Sequence, residues 1–173
     1  ENGDIRSVNT DTQGEVVGDL FVDCTGLSSM LLGQHYKVPF VSQQHVLFND
    51  SALAVQIPYI ENSDAIASHT LSTAQTNGWI WDIGLQSRRG IGHVFSSRYT
   101  TDELAERELR NYIAPSVGEK MAQEVSVRKI SFNPGHRDIF WHKNCVAIGL
   151  SAGFVEPLEA TAIMLVEVSA RYV

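Results

Sequence analysis

Cysteine is scarce in this chain, with two among 173 residues. Each lies in a short apolar segment, LFVDCTG for Cys24 and NCVAIG for Cys145, with no partner cysteine or paired histidine close by. The expectation is two buried free thiols, which excludes a disulfide framework. The six histidines are scattered, and one close pair, His142 with Cys145, falls short of the four ligands of a structural zinc site. Positive charge is also short. Thirteen Lys and Arg face twenty Asp and Glu for a net charge of -7, and no basic run could track a phosphate backbone, so nucleic acid is not an expected partner. No apolar run approaches the roughly 20 residues that a membrane-spanning helix needs. The opening ENGDIRSV has no signal-peptide pattern, and a soluble, cytoplasmic protein without a membrane partner is expected. Internal repeats and low-complexity segments are missing too.

What is present suffices for a packed core, since 43% of the residues are hydrophobic and 19% charged. Short β-like runs split by Gly lead to a continuous apolar strand, Asp19 to Cys24, which ends at Thr25-Gly26. A short helical turn is expected over Leu27 to Leu32, and strands over QHVLFND and ALAVQIPY. From Gly78 the alternation puts Trp79, Trp81, Ile83 and Leu85 on one face of a strand, QSRRGIG turns, and HVFSSRY returns. Thr101 is placed to cap a helix that carries Leu104, Ala105, Leu109, Tyr112 and Ile113 on one stripe, with Pro115 as its stop. NCVAIGL is a second all-apolar strand, and both it and Asp19 to Cys24 are expected to be buried on both faces. Two such strands enclosing about a hundred alternating residues predict an α/β fold, a parallel core interrupted by an inserted antiparallel sheet. The boundaries expected are 1–30, 31–140 for the insert, and 141–173. The missing initial Met and the patterned ends read as an excerpt from a longer protein.

The chemistry concentrates after NCVAIGL. Small residues Ser151, Ala152 and Gly153 let backbone approach a ligand, and Pro157 suits the first position of a helix. A strand, a small-residue loop and a helix N-terminus together make a place for negative charge or for the electron-rich edge of a cofactor. Glu159 in the first turn would by itself be explained by the helix dipole, worth about 0.3 to 1 kcal/mol. Trp79 and Trp81 would by themselves be half-buried strand aromatics.

The ordered set DLFVDCTG, NGWIWDIGL, RRGIGHVFSS and NCVAIGLSAGFVEPLEATAI resembles the flavin-dependent tryptophan halogenases over most of the chain. Their Trp-x-Trp-x-Ile-Pro signature is matched by Trp79 to Ile83, with Gly84 where Pro is usual. The resemblance implies a partial FAD-binding domain, glutathione-reductase-like and monooxygenase-related, with an inserted sheet as the substrate domain. It implies FADH2 from a separate flavin reductase, O2 and a halide ion as co-substrates, and hypohalous acid passed through a tunnel to tryptophan, indole or another small aromatic. By the same resemblance Glu159 is the catalytic carboxylate and faces substrate together with Trp79 and Trp81. Leu150, Pro157, Ala160 and Ile163 line the flavin, and the backbone N–H groups of Thr161 and Ala162 hold the halide.

Two further positions depart from the family, Ala160 and Ala162, where Glu-Ser-Thr-Gly is usual and Glu159-Ala160-Thr161-Ala162 stands. Lys37, Lys120, Lys129 and Lys143 do not match the context of the family's lysine, and its Gly-rich dinucleotide turn has no counterpart. These 173 residues are therefore not expected to be catalytically competent alone. An FAD-dependent aromatic monooxygenase without halide use and a non-catalytic fragment remain open as alternatives, as does a homodimer.

Overall fold

The structure, a computed structural model, describes residues 2–60, 65–155, 158 and 161–173. Four strands lead: β1 (Ser7–Thr10), β2 (Gly14–Val17), β3 (Phe21–Asp23) and β4 (Phe40–Ser42). Next come β5 (Ser51–Pro58), β6 (Leu71–Gln75), β7 (Gly78–Gly84) and β8 (Arg88–Phe95), then helices α1 (Asp102–Val117) and α2 (Glu119–Glu124). The chain closes with β9 (Arg128–Ser131), β10 (Gly135–Arg137), β11 (Trp141–His142), β12 (Cys145–Ala147), β13 (Gly153–Phe154) and helix α3 (Thr161–Arg171). These elements form two compact units, Phe48–Phe132 and the flanking segments Glu1–Leu47 with Asn133–Val173. The inserted unit is thus shorter than the expected 31–140, because β4 and β10 pair with each other, Ser42 opposite Gly135, and stay with the flanking segments. No described helix is long and apolar enough to cross a membrane.

The inserted unit is an antiparallel sheet in the order β6-β7-β8-β5-β9. Side chains alternate across it, and one face carries Leu53, Val55, Ile57, Ile80, Ile91 and Phe95 into a single core with Ala105, Leu109 and Ile113 of α1. The helix starts where its sequence says: the Thr101 hydroxyl accepts from Leu104 N at 3.3 Å. Its end is different. Pro115 does not stop α1, because a proline in the last turn forfeits one hydrogen bond and the helix continues to Val117. Gly118 stops it, with φ 82° and its N–H on the Ala114 carbonyl at 2.8 Å.

In the flanking unit β3 and β12 run parallel, Phe21 opposite Cys145 and Asp23 opposite Ala147, with β11 antiparallel on the far side of β12. Their core gathers Ile5, Phe21, Leu32, Val38, Cys145 and Ala147. β12 is buried at every residue, as its composition predicts. β3 is not: Val22 is 43% exposed, because among the described residues no layer covers the face it shares with Cys24. Cys24 follows the same alternation outward and is exposed, which corrects the expectation of burial, whereas Cys145 is buried. Burial, helped by the charge of Asp23, pushes the Cys145 thiol up to about 11.

The expected helical turn after β3 appears as a 3-10 turn, Gly26–Ser28, followed by a π-helical turn, Met30–His35. Asp23 organises it. Its carboxylate accepts from Leu31 N at 2.9 Å, Leu32 N at 2.8 Å, Thr25 N at 3.1 Å and the Thr25 hydroxyl at 2.6 Å. Burial alone would raise its pKa, but these donors outweigh burial and hold the carboxyl below its usual range. QHVLFND does not form the expected strand. Its chain folds back so that Val46 N and Leu47 N both donate to the Gln43 carbonyl, at 2.9 and 2.8 Å.

Candidate functional site

The parallel strands β3 and β12 deliver their C-terminal ends side by side, the usual place for a ligand in an α/β sheet. Ile148 N donates to the Asp23 carbonyl at 3.0 Å, and the Ser151 hydroxyl donates to the same oxygen and to the Ile148 carbonyl at 2.8 Å. This clamp forces the chain through the turn Gly149–Ser151 and on into β13. Between that turn, β13 and α3 lies a cavity of about 520 Å³.

The cavity brings together three of the residues singled out in the sequence: Leu150, Ala162 and Ile163 all line it. Phe154, Ala152 and Val166 add to a wall that is almost wholly apolar. His136 also reaches the wall, but both of its ring nitrogens are engaged. Nδ1 lies 2.9 Å from the Arg137 carbonyl, which assigns it the proton, and Nε2 lies 3.4 Å from the Gln43 amide nitrogen, which then donates to it. His136 therefore presents carbon, not a free base, to the cavity.

Thr161 and Ala162 are the first two residues of α3 and are partly buried. Backbone N–H groups at such positions have no carbonyl four residues back within the helix, so they are the natural donors to an anion. Glu159, Pro157 and Ala160 lie outside the described residues.

A cavity of this size, floored by Gly149, Ala152 and Gly153 and walled by Leu150 and Ile163, accepts the flat apolar face of an aromatic ring system. Those residues fit the ring portion of a flavin. Among the described residues no group of three or more His, Cys, Asp or Glu could hold a metal ion.

The second set of site residues stands on the inserted unit. On β7 Ile80 and Asp82 are buried, and Trp79, Trp81 and Ile83 occupy the opposite face. The two indoles meet edge to face, with centroids 6.3 Å apart and planes at 63°. The buried charge behind them is neutralised locally. Arg89 Nε donates to Asp82 Oδ1 at 3.0 Å, Arg89 Nη2 makes a second, short bond to Oδ2, and the Tyr112 hydroxyl donates to Oδ2 at 3.2 Å. Gly84, which stands at the family's proline position, closes the strand against Ile66 and Tyr59. A Cβ there would lie 2.8 Å from Ile66 Cγ2 and 3.1 Å from the Tyr59 hydroxyl, so any larger residue requires Ile66 to move.

Sequence reasoning missed three residues that build these sites. Asp23 anchors one of the two loops at the end of the parallel strands, and its signal was an acid inside an apolar run. Phe154 lines the cavity. Gly92 lies opposite Trp81, and its signal was a glycine inside a strand pattern.

A parallel β-pair, with an apolar cavity at the C-terminal loop of β12 and an antiparallel insert that carries a tryptophan pair, defines an α/β protein with a ligand-sized cavity at a strand exit. Residues 1–173 match the family described as tryptophan halogenase, and the chain belongs to it. It is 45% identical over 166 residues to the tryptophan 6-halogenase SttH of Streptomyces toxytricini, an overlap of 96% of this chain and 31% of that protein. The solved tryptophan halogenase of Shewanella frigidimarina NCIMB 400 superimposes with a TM-score of 0.91 at 52% identity, covering 97% of this chain and 32% of that one. The flavin-dependent halogenase BrvH of Brevundimonas sp. BAL3 gives 0.85 at 42% identity, covering 96% and 32%. The chain thus spans about 31% of the length of the curated relatives it matches.

Proposed function

We propose that this chain forms part of a flavin-dependent halogenase that installs a halogen on tryptophan or a related indole. The observation that carries the reading is the apolar cavity at the exit of β12, where Leu150, Ala162 and Ile163 meet at the entrance of α3. One aromatic C–H, one halide, one O2, one proton and FADH2 give the aryl halide, FAD and two waters. The reduced flavin, when bound, supplies the two electrons that activate oxygen.

The residues of this chain supply part of the rest. Leu150 and Ile163, with Pro157 and Ala160, hold the ring system and keep water from it. The N–H groups of Thr161 and Ala162 hold the halide by charge-assisted hydrogen bonds at the positive end of α3. Glu159 takes the proton that leaves the aromatic ring after halogen attack and hydrogen-bonds the electrophile before it. Trp79 and Trp81 form a rigid wall that keeps a bulky substrate from the flavin and lines its approach, with the inserted sheet as the substrate domain. A separate flavin reductase delivers FADH2 in the cytoplasm, and nucleic acid and membrane take no part; a homodimer is the assembly carried with this reading.

The complete polypeptide carrying this sequence is assayed with FADH2, O2, bromide and indole. Brominated indole is the expected product, and Glu159→Gln reduces its formation at least about tenfold. Hydroxylated product or peroxide alone overturns halogenation in favour of a monooxygenase. That alternative has one specific support, the methyl of Ala162 on the cavity wall where the family has glycine.

A further inference from the structure

The two glycines on the outward face of β8 have different reasons to be glycine. Gly92 lies opposite Trp81, and Gly90, two residues before it on the same face, lies opposite Ile83. A Cβ built on Gly92 would overlap Cζ2 and Cη2 of Trp81 outright and stand 2.7 Å from Cε2. The six-membered ring of the indole therefore rests directly on the Gly92 backbone. A Cβ on Gly90 would meet nothing within 4 Å. Neither glycine adopts positive φ, so backbone conformation does not demand either one. Glycine inside a strand costs stability through its entropy, and at Gly92 the return is the seat it makes for a rigid ring. An indole has two side-chain torsions and no flexible end, so it cannot yield to a methyl group as a longer aliphatic chain could.

We propose that Gly92 is a positioning residue, the seat that lays the Trp81 indole flat on β8 and so sets the height and tilt of the Trp79–Trp81 pair. Trp81 stands edge-on to Trp79 at 6.3 Å because its own ring is pressed to the sheet. A side chain at position 92 lifts one indole away from the sheet and breaks that arrangement, while the β7–β8 hydrogen bonds remain. The consequence for turnover rests on the barrier role proposed above for the tryptophan wall.

The test separates the seat from the barrier. Edge-to-face indoles at this distance couple their transitions, so the pair gives an exciton signal in circular dichroism. In Gly92→Ala this signal is expected to lose more than about half of its amplitude, while Gly90→Ala retains it. In a Trp81→Leu background, Gly92→Ala is expected to lower the Tm by several degrees less than it does in the parent, because the clash has been removed. The second measurement stands even where the single variant folds poorly. An unchanged exciton signal in Gly92→Ala, or an equal Tm penalty in both backgrounds, overturns the seat. Halogenation of indole by the complete polypeptide is then compared. A fall in kcat of about tenfold in Gly92→Ala alone supports the seat acting through the wall. Loss of the exciton signal with kcat unchanged supports the seat and overturns the barrier role.

Discussion

The inserted unit and the flanking unit were built from the same chain by different means. In the first, Ile80, Ile91, Phe95, Leu109 and Ile113 are wholly buried and α1 lies over one face of a continuous five-stranded sheet. In the second the strands are two to four residues long, and α3 has no buried residue although seven of its eleven residues are apolar. Ile163 is 71% exposed and Tyr172 84%. The insert draws its stability from apolar packing, with Leu53, Val55 and Ile57 of β5 in one core with Leu109 and Ile113 of α1. The flanking unit adds polar clamps: the Asp23 carboxylate ties down the turn that follows β3, and the Asp23 carbonyl takes bonds from Ile148 N and the Ser151 hydroxyl near the other end of the chain. It is also the unit that opens the cavity, and a site needs surface left uncovered by the protein itself.

That contrast can be broken most forcefully at the core of the insert. Leu109→Ala removes a wholly buried side chain and is expected to destabilise by about 2 to 5 kcal/mol in denaturant titration. Leu165→Ala on exposed α3 is expected to cost within about 0.5 kcal/mol. Equal losses at the two sites would dissolve the distinction.

Acid sharpens it next. The folded pKa of Asp23 is lowered, so its carboxylate stabilises the flanking unit above the unfolded value, about 3.9, and that contribution is lost as pH falls through the folded value. Asp23→Asn is expected to reduce stability at neutral pH by about 1 to 3 kcal/mol and to flatten the decline below about pH 4, read by chemical unfolding at each pH. A decline just as steep in Asp23→Asn assigns the acid sensitivity elsewhere.

The smallest effect belongs to the start of α1. Thr101→Ala deletes one cap hydrogen bond and is expected to cost about 1 kcal/mol, with Thr101→Ser recovering most of it. A loss as large as that of Leu109→Ala would show that the cap, not packing, holds the helix.

The two units were also unequally legible. Strand alternation around Trp79, the Thr101 cap and the stripe ending at Ile113 are local patterns, and the structure keeps the first two and the stripe at Ala105, Leu109, Tyr112 and Ile113, whereas Leu104 is left exposed. The β3–β12 pairing was legible as two apolar strands, but not the exposure of Val22 and Cys24, because an apolar run reports no missing neighbour. Of the candidate residues, Leu150, Ala162 and Ile163 meet at one cavity, and the tryptophans pair; Phe154 and Asp23 were not foreseen, since an acid or an aromatic inside an apolar run does not by itself say what it will face.

By itself the sequence determined the periodicities, the helix cap and the residue types gathered near the strand exits, because each depends on neighbours within a few positions, and the family, because four motifs stand in order along the chain. Only the tertiary structure decided which face of β7 would be buried. Hydrophobicity favours the side bearing two tryptophans over the side bearing Asp82. The fold buries Asp82 because Arg89 on the next strand and Tyr112 on α1 satisfy its carboxylate. The indoles are left at the outer face, one of them on Gly92. A charge can be buried when its partners arrive from other elements, and no local pattern records where those partners will be.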